Sequence, residues 1–332
     1  MARRIALVIA LGIAGAAAAL LLLFHYPISL TDPVEVTIRR GESTKEIAAS
    51  LDDSGLLRSR RLFRWWAALR GFDRDLHPGR YKFEGKISMS DLLDSLRNRA
   101  AVVVRVTIPE GWTIAEMAPY LADQLGFDSA SFVAVTGDKA LLSKYGVPNH
   151  TLEGYLLPDT YEFYWGVEAT DVVARMADAM AATLNDTLRA RIKELGWSVH
   201  EALTLASMIE AEATVEAEHP RISAVFHNRL RTGMLLQCDP TVIYGMGGLP
   251  DGRSLLRGDL DHPSPYNTYI NAGLPPGPIG NPGVESIQAA LYPDSTDEYY
   301  FVADGAGGHI FTRSLDEHNN ARVTVKRRQN GR

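Results

Sequence analysis

A stretch that occurs twice in the sequence decides how the first part of the chain folds. Residues 34–51 read VEVTIRRGESTKEIAASL, and residues 104–121 read VRVTIPEGWTIAEMAPYL. Each copy alternates apolar and polar residues, turns at a glycine, and then places its apolar residues at helical spacing. The sequence therefore predicts two strand–turn–helix segments of the same design.

Both predicted helices carry a start signal. Ser43 and Thr113 stand where N-caps belong, and a glutamate follows each of them three residues later, which is the pattern of a capping box. After the first copy, a helix near 59–71 and a strand near 81–83 complete the order β-α-α-β. That order is typical of a LysM-type glycan-binding module, and a stalk or spacer domain is the alternative.

The chain of 332 residues is long enough for about two domains. We expect an α+β protein with an N-terminal transmembrane helix, small LysM-like α+β modules and a mixed α/β domain. The predicted boundaries are 1–4 for a cytoplasmic tip, 5–26 for the membrane anchor, 33–98 for the LysM-like module, 102–146 for a second small strand–helix module, and 147–332 for the large domain.

The anchor prediction depends on an unbroken apolar run. Arg3 and Arg4 precede residues 5–24, which contain no charged residue and, as a helix, would span about 30 Å, the thickness of a bilayer core. The positive-inside rule then predicts a cytoplasmic N-terminus with the remaining chain on the far side, which in a bacterium is the periplasmic side of the inner membrane. A cleaved signal peptide is the alternative, but no polar cleavage region follows the small residues of the run.

Composition excludes several classes of protein. The net charge is −6, which argues against nucleic acid as a partner, because that would need a concentrated basic surface. A single cysteine, Cys238, cannot form an internal disulfide. An arginine-rich stretch that contains Trp65 and Trp66 is the local exception to the acidic balance: it either lies against anionic headgroups or is a solvated face with tryptophan in the local core.

The C-terminal half carries the candidate chemistry. We expect one helix from about 171 to 195, and a second that starts at a capping box formed by Ser198 and Glu201. On the second helix Glu210 shares a stripe with small residues, which would leave open volume around its carboxylate. Glu212 is two helical steps further on and points elsewhere. From this helix alone, Glu210 is as consistent with an ordinary exposed glutamate as with a catalytic group.

Several enzyme signatures are absent from the sequence, and two polar segments remain. There is no H-E-x-x-H metal pair, no G-x-S-x-G nucleophile and no phosphate-binding loop, so the enzyme classes with these signatures are excluded. Residues 237–245 and 262–283 combine tyrosines and amides with many prolines and glycines, which suits either a sugar-binding surface or a rigid loop. Residues 299–303 and 309–313 predict a hairpin.

Together these motifs resemble the YceG-like family of membrane-anchored endolytic murein transglycosylases. The resemblance covers essentially the whole chain and is carried by LASMIEAEA (205–213), VFHNRL (225–230), LQCDPTVIYGMG (236–247), SPYNTYINAGLPPGPIGNPG (264–283) and YYFVADGAGGHIFT (299–312). It implies that 147–332 is the catalytic domain and that Glu210 is the catalytic residue. The residues that it suggests for substrate binding are Asn228, Gln237, Asp239, Tyr266, Asn267, Thr268, Tyr269 and Asn281.

The resemblance implies a reaction and partners. The substrate would be the peptidoglycan glycan strand, cut between N-acetylmuramic acid and N-acetylglucosamine with a 1,6-anhydro end, and neither a cofactor nor a metal would be needed. Glu210 would act first as acid and then as base, trimming or terminating nascent strands beside peptidoglycan synthases at the inner membrane. Two alternatives stay open: a water-using muramidase with Asp239 or Glu212 as its second carboxylate, and a membrane-anchored wall-binding protein without catalysis.

Overall fold

The structure is a computed structural model that describes residues 10–12, 14–15, 18, 22–39, 41–71, 76–97, 102–249 and 253–330. It is of the α+β class, as expected from the sequence. The chain divides into two compact units. The first contains Met1–Val106, Asp123–Phe127 and Glu162–Glu168, and the second contains Thr107–Ala122, Asp128–Tyr161 and Ala169–Arg332.

The first unit has the predicted β-α-α-β order. Strands β2 and β3 pair antiparallel, with Val36 opposite Tyr81, and β1 pairs antiparallel with β4. The elements are β1 (Ile28–Ser29), β2 (Val34–Ile38), α1 (Thr44–Asp53), α2 (Arg60–Leu69), β3 (Gly79–Phe83), β4 (Lys86–Ile87) and α3 (Met89–Arg97). Whether this unit binds glycan, as a LysM module does, stays a prediction.

Period-two alternation builds the core of the first unit. In β3 the side chains of Tyr81 and Phe83 are buried, whereas those of Arg80 and Lys82 are exposed on the other face of the sheet. The helices cover the buried face, since Phe63 and Trp66 of α2 belong to the same hydrophobic cluster. The Ser43 capping box of α1 is present, with the Glu46 carboxylate accepting the Ser43 N–H at 2.7 Å.

The second copy of the repeat also folds as predicted, into β5 (Val103–Thr107) and α4 (Ile114–Leu125). Thr113 and Glu116 form the predicted capping box, with hydrogen bonds of 2.8 Å and 3.2 Å. Strand β5 pairs with β6 (Thr160–Tyr164). Gly111 has φ +77° and its counterpart Gly41 has φ +81°, so both copies turn at a left-handed glycine.

The remaining elements are mostly helical. They are α5 (Ser129–Thr136), α6 (Lys139–Tyr145), α7 (Ala169–Thr183), α8 (Asp186–Glu194), α9 (Val199–Glu212), α10 (His219–Thr232), α11 (Asp239–Gly245), α12 (Val284–Leu291), β7 (Tyr300–Ala303), β8 (His309–Thr312) and α13 (Leu315–Asn330), with short 3-10 turns at Glu216–Glu218 and Arg257–Asp261. The predicted hairpin is confirmed by the antiparallel pairing of β7 with β8.

One helix prediction in this part is wrong. The expected single helix from about 171 to 195 consists of α7 and α8, because Asn185 interrupts it. Its side-chain oxygen accepts the N–H of Leu188 at 3.0 Å and caps a new helix, so an amide that can satisfy a free backbone donor outweighs the continuous apolar spacing.

Half of the predicted membrane anchor, 5–26, lies outside the described residues. Within the described ranges, no helix combines the length and apolarity needed to cross a membrane. The predicted second small module, 102–146, is divided between the units, since Thr107–Ala122 and residues from Asp128 onward belong to the second one.

Candidate active site

Helix α9 carries two carboxylates near its C-terminal end, those of Glu210 and Glu212. Its capping box is present, with the Glu201 carboxylate accepting the Ser198 N–H at 2.7 Å. Every residue from 202 to 209 is buried, so the helix runs through the core of the second unit. Glu210 is only partly buried, and it lies where the helix leaves the core.

The small residues of α9 serve a different purpose from the one expected. Rather than leaving open volume along the whole stripe, they let the proline- and glycine-rich segment 275–283 approach the helix. The Ile279 N–H donates to the Ser207 hydroxyl at 3.0 Å. The same segment also approaches the turn between β5 and α4, where a Cβ on Gly280 would lie 2.3 Å from the Gly111 carbonyl oxygen, so that approach requires glycine.

Glu210 lies between this segment and the turn that joins β5 to α4. Its Oε2 accepts the Gly283 N–H at 3.0 Å. On the other side, a Cβ on Gly111 would lie 3.3 Å from the Glu210 Cγ. Two glycines from distant parts of the chain therefore border this side chain: Gly283 holds one carboxylate oxygen by a hydrogen bond, and Gly111 leaves the space that the Glu210 side chain occupies.

A second carboxylate, that of Glu110, lies against the same Gly283. A Cβ on Gly283 would fall 1.8 Å from the Glu110 Oε1, so the carboxylate occupies the space that a side chain would need. Partial burial first, and then the negative charges of Glu210, Glu285 and Glu216, raise the pKa of Glu110. Glu110 and Glu210 thus form a pair of interacting acidic groups.

Asn281 joins the three segments that surround this pair. It is fully buried. Its Oδ1 accepts the Leu156 N–H at 2.9 Å, and its Nδ2 donates to the Trp112 carbonyl at 2.9 Å and to the Glu153 Oε1 at 2.8 Å. Its carbonyl also accepts the Gly111 N–H at 2.8 Å. All these partners are protein groups, so Asn281 organises the site from within, and its predicted contact with substrate stays a prediction.

Glu153 is a third carboxylate of this region. It accepts the Ile114 N–H at 3.1 Å and the Asn281 amide, and the Tyr244 hydroxyl lies close enough to act on its charge. Burial raises its pKa to about 7, against the opposing effect of these hydrogen bonds. The Tyr244 ring in turn lies 4.9 Å from that of Tyr266, which connects the predicted aromatic segment to the centre of the site.

Glu212 has different neighbours from Glu210, as the helical angles predict. The thiol of Cys238, the main chain of Asp239 and the guanidinium of Arg229 lie close enough to act on the charge of its carboxylate. Burial raises the pKa of Glu212 to about 7. Arg229 is itself buried and donates to the Leu236 carbonyl at 2.8 Å, whereas Asp239 is exposed, so Glu212 lies at the edge of the core.

The structure brings most of the predicted binding residues together where residues 237–239 contact residues 266–269; these two segments are called the loop pair here. The Gln237 N–H donates to the Thr268 carbonyl at 3.1 Å, with Gln237 at φ +51°. The Tyr269 hydroxyl donates to the Asp239 Oδ1 at 2.5 Å. Asn267 is buried and donates to the Leu260 carbonyl at 2.9 Å. Gln237 and Asp239 are exposed, so they are accessible to a ligand.

Asn228 lies apart from this loop pair. Its side chain donates to the carbonyls of Thr296 and Glu298, both at 2.9 Å, and it is buried. None of these hydrogen bonds connects Asn228 to the surroundings of Glu210. A contact between Asn228 and substrate therefore stays a prediction.

Sequence reasoning missed Glu110 and Glu153. Glu110 stands in the turn of the second repeat copy, where the first copy has Arg40. That change of charge at one repeat position was the available signal. Glu153 precedes Gly154, whose Cβ would lie 2.3 Å from Pro278, and no local pattern announces such a long-range approach.

This site defines a class of protein. A carboxyl group on a buried helix, fixed by a main-chain N–H and paired with a second carboxyl group, is an acid–base arrangement, and tyrosines and amides around it suit a polyhydroxylated ligand. Within the described residues, no group of three or more histidine, cysteine or acidic side chains could hold a metal ion.

The chain belongs to the YceG-like family, whose sequence pattern matches residues 36–324. It is 34% identical over 322 residues to an endolytic murein transglycosylase of Bacillus subtilis, covering 90% of this chain and 89% of the relative. An endolytic murein transglycosylase of Streptococcus pneumoniae is 29% identical over 330 residues, and the match covers 87% of this chain and 59% of the relative.

A solved structure agrees with these relatives. The crystal structure of a YceG-like protein from Listeria monocytogenes superimposes with a TM-score of 0.62 at 31% sequence identity. The superposition covers 88% of this chain and 99% of the Listeria chain.

Proposed function

We propose that this protein is an endolytic murein transglycosylase that cuts peptidoglycan glycan strands between N-acetylmuramic acid and N-acetylglucosamine. The observation that carries the proposal is the position of Glu210. It lies near the C-terminal end of helix α9, where the helix leaves the core, and the Gly283 N–H donates to one of its carboxylate oxygens at 3.0 Å. The family membership and the names of the relatives support the substrate and the reaction.

The hydrogen bond to Gly283 distinguishes the two oxygens of Glu210. Because Oε2 accepts the Gly283 N–H, and no described group donates to Oε1, we assign the transferable proton to Oε1. That proton passes to the glycosidic oxygen as the bond from C1 of N-acetylmuramic acid to this oxygen breaks. The resulting carboxylate then takes the proton from the 6-hydroxyl of the same sugar. The oxygen of that hydroxyl bonds to C1 at the same time, which closes the 1,6-anhydro ring.

Glu110 contributes charge rather than a proton in this mechanism. Positive charge develops at C1 as the glycosidic bond breaks, and a fixed carboxylate beside the reacting group stabilises it. The segment from 275 to 283, held in place by Asn281, positions the Gly283 N–H, and the loop pair around Gln237 and Asp239 supplies the sugar-binding surface.

Glu110 also supports a second candidate, a water-using muramidase. Ordinary glycoside hydrolysis commonly uses two carboxylates, one of which activates water or attacks the sugar. Asp239 and Glu212, the partners considered from sequence, interact with each other. Glu110 is the acidic group whose pKa responds to the charge of Glu210, so it is the better second carboxylate for that reaction.

Product chemistry separates the two reactions. Full-length protein in liposomes is incubated with uncross-linked glycan strands, and the products are analysed by mass spectrometry. Ends that are one water lighter than hydrolysis products are the expected result. Reducing ends would establish the muramidase. Glu210→Gln is the inactive control, and strands left intact by the wild-type protein would favour a wall-binding role without catalysis.

For the cellular setting, we infer a single-pass anchor over 5–26 with a cytoplasmic N-terminus and a periplasmic catalytic unit. The apolar run behind two arginines supports this orientation. An anchored enzyme meets strands as they emerge, which suits trimming or termination beside peptidoglycan synthases. Protease added to the outside of spheroplasts should digest the units and leave the N-terminal tip protected. Digestion of the tip as well would contradict the orientation.

A further inference from the structure

Helix α2 of the first unit has two different faces. Phe63, Trp66 and Ala67 are buried in the core of the unit. On the opposite side the helix exposes large apolar side chains, with Trp65 49% and Leu69 62% accessible. Arg61 and Arg64 are exposed on the same side, because the helical periodicity places them on the arc that also contains Trp65.

The charge of this segment is strongly one-sided. Residues 54–71 contain five arginines and no acidic residue. Arg60 is neutralised by Asp52 and Asp53, each at 2.5 Å. Among the described residues, neither Arg61 nor Arg64 forms an ion pair. The exposed face of α2 therefore combines unpaired positive charge with tryptophan and leucine.

The end of the apolar N-terminal run is fixed to this helix. Phe24, the last residue of that run, is 1% exposed, and its ring stacks on Trp66 at 4.1 Å and on Trp65 at 5.9 Å between centroids. Just beyond it, the Arg58 guanidinium lies 4.5 Å over the Tyr26 ring and donates to the Pro27 carbonyl at 2.9 Å. These contacts hold the end of the apolar run against helix α2.

We propose that the exposed face of α2, together with Tyr26, binds the anionic headgroup layer of the membrane from which the chain emerges. This inference rests on the proposed anchor over 5–26. If that run spans the bilayer, Phe24 marks the far edge of the hydrocarbon region, and the side chains stacked on it lie at the same level. Tryptophan and tyrosine favour this interface, and arginine is attracted to anionic lipid.

The composition of the face favours lipid over glycan. A tryptophan can stack on a sugar, but sugar hydroxyls give no reason for unpaired arginines beside exposed leucine. An anionic headgroup layer accounts for both, since its phosphates pair with guanidinium groups while Trp65 and Leu69 enter the acyl boundary. Within the N-terminal run itself, Leu22 and Leu23, which precede Phe24, are 70% and 48% accessible, so apolar side chains are also exposed where the run meets α2.

Site-directed spin labelling measures the depth of this face. Cys238, the chain's single cysteine, is buried, so a nitroxide reagent labels a newly introduced cysteine. Full-length Leu69→Cys is labelled and reconstituted in vesicles of phosphatidylcholine mixed with phosphatidylglycerol, which supplies the anionic headgroups. Collision rates with oxygen and with a water-soluble nickel chelate then report the apolar or aqueous surroundings of the label. Lys82→Cys is the matched control, because Lys82 is exposed on the sheet face opposite to the helices.

The expected result is a label at position 69 that collides mainly with oxygen and a label at position 82 that collides mainly with the chelate. Replacing Arg61 and Arg64 together by glutamine should lower the ratio of label in the lipid to label in water at position 69. We expect a decrease of about 25-fold, or about fivefold for each arginine. A label at position 69 as accessible to the chelate as that at position 82, in protein that still floats with the vesicles, would overturn the proposal while leaving the anchor intact.

Two other outcomes would also overturn it. Protein that does not float with the vesicles would remove the anchor on which the proposal rests. Immobilisation of the label at position 69 by purified glycan strands, but not by anionic lipid, would identify the face as a glycan-binding surface. Strand cleavage is measured separately on the same samples, so failure of this proposal and failure of the proposed transglycosylase activity are distinguishable.

Discussion

The two copies of the repeat have the same local structure and different surroundings. Each runs from a strand through a left-handed glycine to a capped helix. A Cβ on Gly41 would meet nothing within 4 Å, whereas a Cβ on Gly111 would meet the Glu210 side chain at 3.3 Å. The residue before the glycine is arginine in the first copy and glutamate in the second. Shared residues determine the fold of both copies, and the residues that differ place the second copy at the candidate active site.

The difference between the two copies matters for function only if Glu210, which lies beside the second copy, performs the chemistry. Glu210→Gln keeps the shape of the side chain and the acceptor for the Gly283 N–H, but it removes the transferable proton. We expect strand cleavage to fall at least about 1,000-fold with an unchanged melting temperature, as for the loss of a general acid and base. Turnover is measured by release of shortened strands. Near wild-type turnover in a folded variant would remove Glu210 from the mechanism.

Changing Glu110 tests the acidic residue that distinguishes the second copy. Glu110→Gln removes the charge that faces Glu210 while keeping the size of the side chain. We expect kcat to fall about 30-fold with KM changed less than about threefold, because the lost interaction acts on the transition state. The matched control is Glu285→Gln, which removes another exposed charge that acts on Glu110. Equal effects of the two variants would reduce Glu110 to a general contributor of charge.

A pair of glycine substitutions tests whether Gly111, unlike its counterpart Gly41, helps to position Glu210. Gly41→Ala and Gly111→Ala both force alanine into a left-handed conformation, so each should lower the free energy of unfolding by about 1 kcal/mol. Only Gly111→Ala also displaces Glu210, by a few tenths of an ångström. We therefore expect activity to fall about tenfold in Gly111→Ala and to be unchanged in Gly41→Ala. Similar activity of the two variants would show that contact with Gly111 does not position Glu210.

The smallest effect on activity is expected at Glu212, which lies on the same helix as Glu210 but has Cys238, Asp239 and Arg229 as neighbours. Glu212→Gln should keep turnover within about threefold of wild type, because an amide preserves the shape of a side chain that takes no part in the reaction. Loss of turnover in a folded variant would place Glu212 in the mechanism and contradict the helical-angle argument.

Glu212 should instead affect the pH dependence of stability. Its pKa is raised from 4.5 in the unfolded chain to about 7 in the folded one. The folded chain therefore holds a proton that the unfolded chain has released, so this contribution favours folding at low pH and is lost as the pH rises from about 4.5 to about 7. Urea unfolding should show Glu212→Gln gaining about 2 kcal/mol relative to wild type between pH 5 and pH 8. Parallel pH profiles of the two proteins would refute this.

Local signals in the sequence were sufficient for much of the fold. The capping boxes at Ser43, Thr113 and Ser198 each involve residues three positions apart, and all three are present. Asn185 is an equally local signal, and overlooking it produced one helix where the chain forms α7 and α8. Strands β5 and β6 pair although α4, α5 and α6 lie between them in the chain, so no local pattern could predict their pairing.

The candidate site was predictable only in part for the same reason. Glu210 could be placed on a helix face from spacing, and its importance came from the family resemblance. Glu110 lies far earlier in the chain, in a segment that by itself is an ordinary polar turn. Asn281 looked like a sugar ligand because amides suit sugars, yet its burial and its contacts with Trp112 and Glu153 depend on tertiary structure.

The hydrogen bonds of Asn281 also determine when this protein can become active during its synthesis. They join residues separated by 125, 128 and 169 positions, so they cannot form before the chain has been made at least as far as Asn281 itself. Long-range contacts of this kind form late, since the entropy of loop closure opposes them until the rest of the unit is in place. Helix α9 can therefore fold early, while Glu210 acquires its partner only when the second unit closes. A nascent chain carries the glutamate without the site around it, which delays the activity until folding is nearly complete.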